Sequence, residues 1–163
     1  MGLFIALLLS LVCGSAHAGP LSLQEAFSSN PSLFVLPPAK TVLQRETGGR
    51  IDEHWSRFRD IYNSGADVEV HGKCNSACTL ITNMPKSRLC FAEGSHLGFH
   101  WAREVVWNGP PSRESTEWMI DHYPPDIRAW LDAQGGIEKM PKDGFWIMPA
   151  FILWGMGYRR CGT

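Results

Sequence analysis

The chain has 163 residues, 44 % of them hydrophobic and 19 % charged, and its formal net charge is −1. That is room for one domain with a sizeable core, and it excludes a disordered chain, a basic nucleic-acid footprint and an acidic tail. The 7 tryptophans read first as core and interface packing.

Leu3 to Val12 is an apolar run, and Ala16-His17-Ala18 then places a small-x-small pattern before Gly19. This is the layout of a cleaved secretory signal over residues 1–18, and the run falls well short of the roughly 20 residues a membrane span needs. No Lys or Arg precedes the run, and Cys13 follows Val12 rather than a small residue, which argues against a lipoprotein cleavage site. Residues 19–40 hold Pro20, Pro31, Pro37 and Pro38 and read as an extended arm. Residues 41–163 are expected to form a single domain, with no membrane span in the mature chain.

Thr41-Val42-Leu43-Gln44 is a β-prone run that ends at Thr47-Gly48-Gly49. Ile51, Trp55, Phe58 and Ile61 then fall on one face of a helix, which Asn63-Ser64-Gly65 stops. Val68 and Val70 alternate with Asp67 and Glu69, the mark of a strand predicted to end at His71-Gly72. Ser76 to about Asn83 reads as a helix with Ala77, Leu80, Ile81 and Met84 inward. Leu89-Cys90-Phe91 and Leu97-Gly98-Phe99-His100 read as short strands. Strand and helix in this rhythm predict an α/β fold with a mostly parallel sheet flanked by helices. Trp101 to Pro111 reads as loop. Glu117 to Tyr123 and Asp126 to Gln134 read as helices separated by Pro124-Pro125, with Gly135 to Lys142 as loop behind them. Pro149 to Trp154 reads as a proline-started helix, and Tyr158 to Cys161 as a last strand.

Once Cys13 has left with the signal, Cys74, Cys78, Cys90 and Cys161 remain. An even number in an oxidising compartment favours two disulfides; of the three pairings four cysteines allow, the sequence selects none. His71, Cys74 and Cys78 are also metal-ligand types at workable spacing. Only half of a structural zinc site is local, however, so no metal and no cofactor is expected.

Ser76 follows a predicted strand and opens a predicted helix, where unpaired N–H groups and the helix dipole favour negative charge. A serine there is ordinarily an N-cap. His100, 24 residues further on, ends another predicted strand, and neighbouring parallel strands would carry both groups to one sheet edge. His54, His71, His96 and His122 have no such placement. Trp101, Trp107 and Trp118 are near enough in sequence to line a cleft beside His100.

Gly48-Gly49, then Lys73-Cys74-Asn75-Ser76-Ala77-Cys78-Thr79-Leu80-Ile81, then Leu97-Gly98-Phe99-His100 together resemble the Clp protease proteolytic subunit and its exported relatives. Asp143-Gly144-Phe145, Pro149-Ala150 and Trp154-Gly155 resemble that family's C-terminal ending, so the resemblance covers about Val42 to Gly157. It implies the Clp/crotonase-like spiral of ββα units. It also implies an ATP-independent serine peptidase in which Ser76 attacks a carbonyl, His100 transfers the proton and Asp143 orients the imidazole. The backbone N–H groups of Gly48 and Ala77 would hold the oxyanion. Asp121, Asp126 and Asp132 are rivals of Asp143, Lys73 offers a Ser-Lys variant, and a Cys74 or Cys78 nucleophile competes only if the thiols are free. The expected substrate is a peptide or small ester, with a homo-oligomer as a further expectation. Pro110, Pro111, Pro124 and Pro125 interrupt the region where the family's ring-interlocking helix would lie. The alternative is a catalytically silent exported binding or scaffold protein on the same fold.

Overall fold

Alternating and branched residues over Lys40–Glu46 form β1, the first element of a computed structural model that describes residues 39–104 and 109–162. The predicted signal over residues 1–18, nearly all of the predicted arm, and Trp107 lie outside the described residues. The amphipathic run Ile51–Asn63 is α1, with Phe58 buried and Ile51, Trp55 and Ile61 packed against the core.

Strand β2 runs over Asp67–Asn75, past the His71-Gly72 at which the sequence predicted its end. Two irregularities sit opposite each other and let it continue. Gly72 takes φ +79°, and β1 bulges between Gln44 and Glu46 with Arg45 at φ +53°. Arg45 Cγ comes within 3.3 Å of where a Gly72 Cβ would stand, and the parallel ladder resumes at Glu46↔Cys74.

Behind β2 come a 3₁₀ helix over Ser76–Asn83, β3 (Leu89–Phe91) and β4 (His96–Phe99). The 3₁₀ helix is buried on all sides from Ala77 to Thr82, and α1 packs against it. Then follow α2 (Arg113–Asp121), α3 (Pro125–Ala133), α4 (Gly136–Lys139), β5 (Trp146–Pro149), α5 (Ala150–Gly155) and β6 (Arg159–Arg160). Helix α2 starts four residues before its predicted start because Ser112 caps it, its Oγ accepting from the Ser115 N–H. Helix α4 is a single turn inside a stretch predicted as loop. Strand β5 was not predicted: its continuous apolar run ends in Pro149 and shows no alternation, as suits an edge strand.

The sheet is mixed, ordered β5-β4-β2-β3-β6 with β1 beside β2, and only the β4–β5 pairing is antiparallel. Because β1 covers one edge of β2, its other edge is shared, β3 pairing with Val68–Val70 and β4 with Lys73–Asn75. Helices flank this sheet, and the core forms where Val70, Leu80, Phe91, Leu97, Met148 and Leu153 meet. The molecule is thus an α/β protein, and all described residues lie within one compact unit. Among the described residues no helix is long and apolar enough to cross a membrane.

Candidate active site

The parallel register of β2 and β4 positions the site. Asn75 pairs with Gly98, so Ser76 follows one strand end and His100 the neighbouring one, on the same side of the sheet. His100 Nε2 lies 2.8 Å from Ser76 Oγ, a hydrogen bond between residues 24 apart in sequence. The sheet therefore brings together the predicted nucleophile and base.

Ser76 holds φ +55°, a left-handed conformation rare for a residue with a side chain. It stands at a sharp strand-to-helix turn, and the structure around it fixes that turn. Cys74 and Cys78 are both fully buried and joined as a disulfide with Cα atoms 5.3 Å apart, so the bridge braces the turn from the core side. Gly48, at φ +88°, is pressed against the serine: a Cβ there would come within 2.5 Å of Ser76 Cβ and 3.1 Å of its Oγ. Glycine is the residue that permits this approach. Thr79 Oγ1 donates to the Ser76 carbonyl at 2.6 Å and meets the buried Tyr123 hydroxyl, tying the turn to the end of α2. Ala77 belongs to the first turn of the helix, whose leading N–H groups have no intrahelical partner.

Both Ser76 and His100 line a cleft of about 710 Å³, walled by Trp55 and Arg59 of α1 and by Trp118 of α2. Trp118 lines it as expected; Trp101 is instead buried, its indole N–H donating to the Ile137 carbonyl. Burial, and secondarily the Arg103 cation, hold the His100 imidazole below its ordinary pKa of 6.5. A histidine so placed is neutral at neutral pH and able to accept a proton. The Phe145 ring lies 4.7 Å from the imidazole, centroid to centroid.

Asp143 does not occupy the position the family resemblance gives it. Its carboxylate accepts from Arg103 Nη2 at 2.6 Å and its side chain is 93 % exposed, so the guanidinium holds it in solvent away from His100. Among the described residues, His100 makes no hydrogen bond to Asp143 or to its rivals, and Asp126 is taken up by Lys86 Nζ at 2.6 Å. Lys73 is placed opposite His96 in the ladder and makes no hydrogen bond to Ser76. Sequence reasoning missed Arg103, which only folding brings to Asp143, and Phe145, whose signal was the Asp-Gly-aromatic triplet read merely as part of the chain ending.

Cys90 is bonded to Cys161, which completes two disulfides and answers the pairing left open by the sequence. The thiols of the half zinc site and of a cysteine nucleophile are thereby consumed. Glu69, His71 and Cys161 bring ligand atoms within 4.8 Å of one another, but the Cys161 sulfur belongs to its disulfide. No protein-family model matches the chain, and no curated protein matches it.

Proposed function

We propose that this chain is an exported, ATP-independent serine hydrolase acting on peptides or small esters through an acyl-enzyme, on a fold related to the Clp/crotonase spiral. The observation that carries this reading is the 2.8 Å His100–Ser76 hydrogen bond at a left-handed strand-to-helix turn that opens into a cleft. An activated serine needs such a base within reach and room for a carbonyl beside both groups. Ser76 Oγ forms the bond to the carbonyl carbon while its proton passes to His100 Nε2. The C–N or C–O bond then breaks, and the leaving amine or alkoxide takes that proton. Water, deprotonated by the same imidazole, attacks the acyl ester, and the released Ser76 oxygen regains a proton. In this reading the N–H groups of Gly48 and Ala77 serve the oxyanion, each such donor typically contributing about 3 kcal/mol to the transition state. Two disulfides within the described residues suit an oxidising compartment.

The test is hydrolysis of p-nitrophenyl esters and unstructured peptides without ATP. An initial burst of about one equivalent per chain, absent in Ser76→Ala, is expected for acyl-enzyme chemistry. The second reading, a silent binding or scaffold protein, draws on the solvent-facing Asp143, and it predicts no burst from folded protein.

A further inference from the structure

For His100 Nε2 to accept the Ser76 proton, the neutral imidazole must carry its own proton on Nδ1, and an acceptor at Nδ1 is what holds that tautomer. Asp143 is bound to Arg103 and does not provide it. Next to Ser76 the structure contains the complementary deficit. Asn75 is 8 % exposed, and its Oδ1 is a buried acceptor without a hydrogen-bond partner. Leaving such a group unpaired costs about 1–3 kcal/mol, so its presence beside the site calls for a donor.

The placement of Asn75 points to one. Asn75 pairs with Gly98 across the ladder, and its Oδ1 fills the space of the missing side chain, 2.3 Å from where a Gly98 Cβ would stand. His100 follows Gly98 by two residues, and positions two apart along an extended chain share a face. Phe145 spans both, with Cδ1 3.2 Å from that same Cβ position and its ring 4.7 Å from the imidazole. The Asn75 amide, Gly98, Phe145 and His100 therefore form one packed group.

We propose that Asn75 is the positioning residue of His100, its Oδ1 accepting from the Nδ1–H directly or across one water, in the role the family resemblance assigned to Asp143. This inference rests on the serine-hydrolase reading of the same site. A neutral amide fixes the tautomer without adding an anion beside the imidazole.

Nitrogen-15 NMR of the His100 ring, on the full oxidised chain and on folded Asn75→Ala and Asn75→Asp variants, tests the proposal apart from activity. At a pH where His100 is neutral, the wild-type ring should be mainly Nδ1–H. Asn75→Ala should shift it toward Nε2–H and lower hydrolysis by about tenfold or more. Asn75→Asp should keep Nδ1–H, raise the titration midpoint and restore part of the rate. A tautomer and midpoint unchanged in both variants would overturn the proposal. If the tautomer follows residue 75 but no hydrolysis occurs in wild type, the positioning contact stands and the hydrolase reading falls.

Discussion

Among the described residues, Ser76 and Arg45 are the non-glycine residues with left-handed φ, and each has a local cause. Arg45 sits in the bulge of β1, whereas Ser76 is held by the Cys74–Cys78 bridge, by Gly48 and by the Asn75–Gly98 pairing. A conformation of this kind costs about 1–3 kcal/mol and persists only where its surroundings enforce it. Ser76→Gly should therefore stabilise the fold by about 1 kcal/mol in urea unfolding while removing the nucleophile. Equal or lower stability would show that no strain is stored at this turn. His100 makes a second prediction. Its lowered pKa gives a kcat/KM that rises from acid to a plateau, with a midpoint below 6.5. Removing the neighbouring cation eases protonation, so Arg103→Gln should move that midpoint upward; a downward move would contradict the assignment. The same depression makes a stability contribution present above 6.5 and lost as pH falls through the folded-state pKa, because the unfolded histidine then binds the proton more readily.

The two disulfides act on different elements. Cys74–Cys78 closes a separation of 4 residues around the β2-to-3₁₀ turn, and Cys90–Cys161 closes one of 71 residues between β3 and the chain end beyond β6. Chain-entropy arithmetic gives about 2 kcal/mol for the short loop and about 4 kcal/mol for the long one. Replacing Cys90 and Cys161 with alanine should thus cost more stability, and replacing Cys74 and Cys78 more catalysis, as thermal melts and ester hydrolysis would report. The reverse order would mean that the short bridge does not hold the nucleophile. Elements whose cause is local were legible in the sequence: the face of α1, the buried run after Ser76 and the strand before His100 all carry their period in their own residues. The β2 extension was not, because it depends on Arg45 in another strand filling the space beside Gly72. Neither was β5, whose strand character comes from pairing with β4.

For the whole molecule, the cleft follows from topology. Parallel β2 and β4 end together, α1 and α2 rise beside those ends, and Trp55 and Trp118 pack edge to face with ring centroids 5.5 Å apart to form a wall. The meeting of Ser76 and His100 was legible because strand order and spacing alone determine it. The fate of Asp143 was not, since a charged partner 40 residues away decides where its carboxylate turns. The central claim is that this arrangement activates Ser76, and its most direct test is a fluorophosphonate probe applied to the oxidised protein, with the modified residue located by mass spectrometry. The account predicts stoichiometric labelling at Ser76, lost in Ser76→Ala and in His100→Ala of confirmed fold. Well-folded protein that takes no label, or takes it on another residue, would contradict the account and turn the search from substrates to binding partners.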